Sequence, residues 1–359
     1  MLSRAANAAT MRTEGKTGSI SLTEGWSHSA ACCLLLLLAV AFSPTPRLQA
    51  QSVDGTTQPS ALQKSDETET VRIETDLVDL NVSVFSRDSR QGVGTLQQKD
   101  FMVFENGAAE EITFFASAST PFDLVLLLDL SGSTSDKLDL IRKSARRFVE
   151  AARPVDRICI ITFTNVPRVV APFTTDHSEL IKRIKKIEKP VGGTNFWDAM
   201  SFVLRDVLNE SRGLRRSAVV VMTDGVDNAL PDVPGDGSIT SFAGLMEIIR
   251  RSGSIVLPIY LDTEEEMILQ GRGSPQAYFL ARRQLLIMAD ESGGVIYQAR
   301  RLEDLKGVYE QVMNDLSTVY SIGYRPANRQ RDGSWRAVVV RLAGRPDLAA
   351  RTKRGYYAR

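Results

Sequence analysis

Histidine is nearly absent from the 359 residues, which contain only His28 and His177. That scarcity argues against a His-ligated zinc site and a Ser-His-Asp triad, both of which need a positioned imidazole. Cysteine is also scarce, with Cys32, Cys33 and Cys159 alone, so a disulfide scaffold and an iron–sulfur cluster are excluded. An excess of either charge is missing, since 44 Lys and Arg face 43 Asp and Glu. A general nucleic-acid binder needs a basic field, so nucleic acid is not expected as a partner. No apolar run reaches the roughly 20 residues of a membrane-spanning helix. What is present is ordinary globular composition, 43% hydrophobic and 24% charged, which disfavours a disordered chain. The length predicts more than one domain.

The longest apolar run, AACCLLLLLAVAF over residues 30–42, has the size of the apolar core of a secretory signal peptide. Arg4, Arg12 and Lys16 precede it, and Leu48-Gln49-Ala50 offers a cleavage site before Gln51. Residues 1–50 are therefore expected to be a signal peptide, with an uncleaved anchor as the alternative. Cys32 and Cys33 open the run instead of following it, which excludes a lipoprotein signal. The expected destination is the periplasm, the cell surface or the medium. Cys159 is then the single thiol of the mature chain, and its apolar surroundings predict a buried small hydrophobe. His177, beside a helix start, reads as a surface residue.

Residues 51–68 are polar and rich in Ser, Thr and Gln, as in a linker. Residues 69–118 carry strand patterns at 71–85, 101–105 and 111–116, with Asn106-Gly107 as a hairpin turn. A β unit of this size is marginal alone and is expected to pack on something else. From residue 119 to residue 318 strands alternate with helices. Strands are predicted at 124–128, 158–163, 218–222, 255–261 and 294–298, with an edge strand at 168–171. Helices are predicted at 135–152, 178–187, 196–208, 242–251, 276–290 and 303–316. That alternation predicts an α/β fold with a doubly wound, mostly parallel sheet. Residues 319–359 return to strand character at 320–324, 335–342 and 351–356. They are expected to complete a small β-sandwich-like domain with residues 69–118.

The first α/β strand ends in Asp129-Leu130-Ser131-Gly132-Ser133. This spacing sets a carboxylate and two hydroxyls on one loop at the carboxyl end of a strand, the edge where open α/β sheets bind ligands. All are oxygen donors and suit a hard cation. Gly192-Gly193-Thr194-Asn195 adds a third hydroxyl before a helix, and Thr223-Asp224-Gly225 adds a second carboxylate after the central strand. If the strands are parallel, all three loops share one edge.

In these residues the chain resembles the von Willebrand factor type A fold and its metal-ion-dependent adhesion site. The family pattern falls on Asp129, Ser131, Ser133, Thr194 and Asp224. By that resemblance the hydroxyls of Ser131, Ser133 and Thr194 contact the metal, Thr194 in one conformational state, while Asp129 and Asp224 act largely through water. It implies a divalent cation, Mg²⁺ foremost with Mn²⁺ or Ca²⁺ as alternatives, and a protein partner that presents a carboxylate. A wider resemblance covers nearly the whole mature chain. The stretch DLNVSVFSRDSRQGVGTLQQKDFMVFENGAAEEITFF and the ending YSIGYRP, DGSWRAVVVRL and RTKRGYYA resemble exported von Willebrand factor A-related proteins found in Acidobacteria.

Three functions follow for comparison: a non-catalytic interaction module, a structural cell-envelope protein whose metal only stabilises loops, and a Mg²⁺-dependent phosphatase-like enzyme. Haloacid-dehalogenase-type phosphatases need a second carboxylate two residues after the first Asp, and here that residue is Ser131, which has no suitable proton to give. Asp227 is expected to stabilise its turn, with a place in the metal's outer shell as the other reading, and Asp198 to cap its helix. The loop 229–238 is expected to border the site or to be a surface insertion, and 263–275 to be a solvated insertion. The ten basic and two acidic residues of 325–359 read as alternating exposed arginines, with an anionic envelope surface as the other reading. Trp197 and Trp335 are expected in packing.

Overall fold

The computed structural model describes residues 77–132, 138–188, 192–209, 216–271, 273–299 and 304–359. The chain divides into residues 1–70 and 71–359, and every described residue belongs to the second unit. The expected signal peptide, the linker, residues 69–76 and Ser133 lie outside the described residues.

The chain opens with four strands, β1 (Val78–Ser86), β2 (Phe101–Glu105), β3 (Ala108–Glu110) and β4 (Ile112–Ala116). The central region follows with β5 (Phe122–Asp129), α1 (Leu138–Ala151), β6 (Arg157–Phe163), β7 (Pro167–Thr174), α2 (His177–Lys185) and α3 (Phe196–Phe202). It continues with β8 (Arg216–Thr223), α4 (Phe242–Ser252), β9 (Ile255–Leu261), α5 (Glu264–Leu269), α6 (Pro275–Ser292), β10 (Tyr297–Ala299) and α7 (Leu305–Leu316). The last strands are β11 (Val319–Tyr324), β12 (Trp335–Leu342), β13 (Leu348–Arg351) and β14 (Gly355–Tyr357).

The central strands form one six-stranded sheet in the order β10-β9-β8-β5-β6-β7. All neighbours are parallel except the edge pair β6 and β7. Every residue of β5 is buried, which is why its sequence is apolar without alternation. Leu124, Leu126 and Leu128 pack with Ile141, Phe148 and Tyr309 of α1 and α7. Val125 and Leu127 face the other way, toward Met200, Leu245 and Leu285 of α3, α4 and α6. Each such side chain contributes about 1.5–3 kcal/mol by leaving water. The fold is α/β, a mostly parallel sheet covered on both faces. Cys159 is buried there, and burial pushes its thiol up to about 12.

The remaining strands form two four-stranded sheets, β13-β1-β11-β4 and β14-β12-β2-β3. Each mixes strands from before and after the central region: β1 pairs with β11, and β2 with β12. Residues from both sheets, among them Leu80, Val82, Phe101, Tyr320, Ile322 and Val340, share one apolar core. The β2–β3 hairpin turns on Asn106 and Gly107 with φ of 48° and 88°, the left-handed pair that matches strand twist.

Arg216 joins the two parts. Buried at the start of β8, it donates to the carbonyls of Ala118, Thr120 and Val319 and lies 4.0 Å from the Phe122 ring centroid. Asn81 of β1 donates to the Gly253 carbonyl at 2.6 Å. Both contacts are at or just before the amino ends of parallel strands, so the β strands of the terminal segments sit at the end opposite the strand carboxyl termini.

Several expectations need correction. The strand β3 is too short for a two-residue period to show. Residues 351–356, expected as one strand, end β13 and begin β14, which lie in different sheets. The insertion 263–275 is not merely solvated: Thr263 is 2% exposed and α5 follows it. His177 is half-buried, and its buried Nε2 has no hydrogen-bond partner. Trp197 packs 5.9 Å from Phe242, whereas Trp335 is partly exposed, edge-on to Tyr357 at 5.0 Å.

Candidate metal site

Asp129 ends β5, and Asp224 directly follows the neighbouring strand β8. Parallel pairing carries both to the same sheet edge, where both are buried. Ser131 is buried in the loop after β5, and Thr194 is buried just before α3. The structure thus brings together four of the five residues expected from sequence.

Hydrogen bonds orient each donor. The Ser131 amide donates to Asp129 Oδ1 at 2.9 Å, and Thr223 Oγ1 donates to Asp129 Oδ2 at 2.6 Å. The Val226 amide donates to Asp224 Oδ1 at 3.1 Å, and Thr263 Oγ1 donates to Asp224 Oδ2 at 2.7 Å. Thr263 also shares a 3.0 Å hydrogen bond with the Tyr278 hydroxyl. Gly225 takes φ of 76°, which turns the chain sharply after Asp224 at no side-chain cost.

Thr194 is held through its backbone. Its amide donates to Asn228 Oδ1 at 3.2 Å, and its carbonyl accepts from the Asn228 amide at 2.9 Å. The Gly193 amide donates to Asn165 Oδ1 at 2.7 Å. A Cβ on Gly193 would lie 2.2 Å from Asn228 Nδ2, so a side chain there would push Asn228 off Thr194.

Burial raises the Asp129 carboxyl to about 7, with the charge of Asp224 adding to the rise and bonds from Ser131 and Thr223 opposing it. Two buried carboxylates at one edge are costly unless a cation offsets them. The donor set is oxygen throughout, carboxylate and hydroxyl, which fits Mg²⁺, Mn²⁺ or Ca²⁺. Among the described residues no group of three or more His, Cys, Asp or Glu is placed to hold a metal, so a cation at this edge would rest on hydroxyls as well as the two carboxylates.

Residues 123–242 match the family model of the von Willebrand factor type A domain. The chain contains a von Willebrand factor type A domain. A UPF0353 protein of Mycolicibacterium paratuberculosis is 22% identical over 223 residues, 59% of this chain and 64% of that protein, so the chain spans less than two thirds of that relative. Among solved structures, BatB from Bacteroides thetaiotaomicron is 16% identical with a TM-score of 0.40 over 53% of this chain and 97% of its own. The vWF domain of the type V pili tip protein Mfa5 from Porphyromonas gingivalis is 14% identical with a TM-score of 0.40, covering 54% and 94%. Proximal thread matrix protein 1 from the mussel byssus, with a zinc-occupied MIDAS motif, is 15% identical with a TM-score of 0.44, covering 59% and 49%.

Within the von Willebrand factor type A domain, Asp227 binds no part of the site directly. Its carboxylate accepts from the amides of Trp197, Ala229 and Ser238 and from the Ser238 hydroxyl. Asp198 does not cap α3, because its carboxylate accepts from the amides of Ile239 and Thr240 at 2.8 Å each. It is the third residue of the helix, and its side chain reaches across to the β8–α4 loop. Together with Asn195, which donates to the Gly237 carbonyl at 3.3 Å, these residues pin the loop 229–238 beside Thr194. Sequence reasoning assigned no role to Asn165, Asn228, Thr223, Thr263 or Tyr278. Thr263 was within reach of the rule that selected Asp129 and Asp224, because it lies just beyond the carboxyl end of β9.

Proposed function

We propose that the protein is an exported, non-catalytic interaction module that holds a divalent cation at Asp129, Ser131, Ser133, Thr194 and Asp224. Through that cation it captures a carboxylate of a partner protein. The observation that carries the reading is the pair of buried carboxylates on adjacent strand ends, each oriented by amide and hydroxyl donors. Ser131 and Thr194 supply neutral oxygens beside them, with Ser133 next in the motif. A cation with mostly neutral direct ligands keeps much of its charge, and when bound it supplies an electrophilic position for an incoming carboxylate oxygen. Mg²⁺ is the expected occupant.

The residues around the site support a protein partner. The loops at this edge expose Val166 and Ile239, Ile239 being 96% exposed, and Leu269 is exposed at the end of α5. Apolar side chains beside a charged point of capture give a partner surface its footing. A phosphatase reading is disfavoured because Ser131 occupies the place of the general acid. The apolar run at 30–42 supports export, to the periplasm, cell surface or medium, in the manner of the exported von Willebrand factor A-related proteins. No described helix is long and apolar enough to cross a membrane.

The test is calorimetric titration of Mg²⁺ and Mn²⁺ into the protein and into a Ser131→Ala/Ser133→Ala variant. One binding event, lost in the variant, is the expected result. Absence of binding to the unaltered protein, or equal binding to both, would sink the metal-dependent reading.

A further inference from the structure

A cleft of about 830 Å³ runs between the terminal β strands and the amino-end side of the central sheet. That volume is in the range of small-molecule sites. The cleft lies at the opposite end of the strands from Asp129 and Asp224, so the metal reading does not account for it.

Its charge is one-sided. Seven basic side chains line it against two acidic ones, Asp79 and Glu247, in a chain whose formal balance is +1. Along α4, Arg250 and Arg251 form one wall, joined by Arg359. Glu247 is the lining carboxylate for all three, at 3.8 Å, 3.3 Å and 2.6 Å, with Glu291 also pairing Arg250 from outside the cleft. Across from them, Arg329 and Arg331 are exposed on the β11–β12 connection. Lys353 and the buried Arg216 complete the set. Arg216 spends its hydrogen bonds on carbonyls, which leaves its charge in place. Concave walls of one sign focus the field between them.

The cleft also has an apolar part. Leu77, Phe114 and Leu208 line it, and Phe114 is 48% exposed, which leaves ring surface for an uncharged group to rest on. A dense anion joined to an uncharged body matches both halves. Guanidinium groups favour phosphate among anions because their forked donors meet its oxygens in pairs.

We propose that this cleft is a second binding site, which takes the phosphate of a ligand between the α4 arginines and Arg329–Arg331 and rests the ligand's uncharged body on Phe114. The shared chemistry is phosphate, whether from a soluble phosphorylated molecule or an anionic lipid headgroup.

The test uses the full chain in EDTA, so that its outcome is independent of the metal site. Inorganic tripolyphosphate is titrated by calorimetry, and vesicles of phosphatidylglycerol or phosphatidylcholine are used in flotation. The expected result is binding to tripolyphosphate, to phosphatidylglycerol vesicles, or to both, weakened at least tenfold in Arg329→Ser/Arg331→Ser. Arg345→Ser removes an exposed arginine outside the cleft and is expected to change affinity less than twofold. Vesicle binding alone assigns the lipid source, and tripolyphosphate binding assigns a soluble one. The proposal is overturned if neither probe binds, if Arg345→Ser weakens binding as much as the pair, or if citrate binds as well as tripolyphosphate.

Discussion

The Thr263 hydroxyl offers the sharpest test of how the carboxylate edge is organised. It donates to Asp224 Oδ2 at 2.7 Å and is bonded to the Tyr278 hydroxyl at 3.0 Å. All three residues are buried. Thr263→Val keeps the shape and removes both bonds. A hydrogen bond to a charged group is worth about 1.5–3 kcal/mol, and a buried hydroxyl left unpaired costs about 1–3 kcal/mol. The added methyl returns about 0.8 kcal/mol, and because the two bonds share one atom their losses overlap, for a net cost of about 2–4 kcal/mol. Urea unfolding in EDTA reads this directly. Thr263 orients a proposed metal-site carboxylate, so Mn²⁺ affinity by calorimetry is expected to fall about 10–100-fold. Thr263→Ser keeps the hydroxyl and is expected to stay near the unaltered protein in both assays. A valine variant within about 0.5 kcal/mol of the parent, the range of a neutral surface change, would refute the reasoning. So would a serine variant as damaged as the valine one.

Two further perturbations probe the framework. Glu105 is buried between the β sheets, with Oε2 accepting from the hydroxyls of Tyr324 and Tyr356 at 2.8 Å each and Oε1 lying 3.9 Å from the buried Arg336. Arg336 also pairs with Asp332 at 3.3 Å, so Glu105→Ala does not strand it but removes the shared acceptor of two tyrosine hydroxyls, at an expected cost of about 1–3 kcal/mol in urea unfolding, and Glu105→Gln, which keeps an acceptor, distinctly less; equal losses would contradict that role. Burial pushes the Cys159 thiol up to about 12, while the unfolded thiol titrates near ~8.5. Above that lower value the unfolded chain binds fewer protons than the native one, so this group's contribution to stability falls as pH rises toward 12, approaching about 1.4 kcal/mol per unit. Cys159→Ala removes that slope, and the stability gap between parent and variant is expected to shrink by about 2 kcal/mol from pH 7 to pH 10; a constant gap would refute it.

Local pattern carried the α/β region well, and for a physical reason. A strand covered on both faces, such as β5 or β9, has no polar position, and an amphipathic helix such as α1 repeats its apolar residues with the helical period. Strand ends put Asp129 and Asp224 at one sheet edge, with Ser131 in the loop after β5 and Thr194 just before α3. What local pattern could not reach is pairing across distance. Thr263 and Asp224 are 39 residues apart, and Asn165 and Gly193 are 28 apart. Asn165 is a polar loop residue with nothing in its neighbours to mark it, and Thr263 is marked only by its place beyond the carboxyl end of β9. The strand β3 and the division of residues 351–356 failed differently. Segments of three or four residues are fixed by their partners, β2 for the first and β1 and β12 for the second, and not by their own periodicity.

The two ends of the central sheet are far enough apart to act separately. β8 runs from Arg216, at the junction with the β strands of the terminal segments, to Thr223, next to Asp224. At ~3.3 Å per residue those eight residues span roughly 25 Å. Charges at that separation interact weakly in physiological salt, where the Debye length is about 8 Å. Mechanical coupling would need β8 to shift along its neighbours, β5 and β9, with which it is paired along its length. Close-packed interiors resist such sliding. A ligand at the carboxylate edge and one in the basic cleft are therefore expected to bind without either setting the affinity of the other.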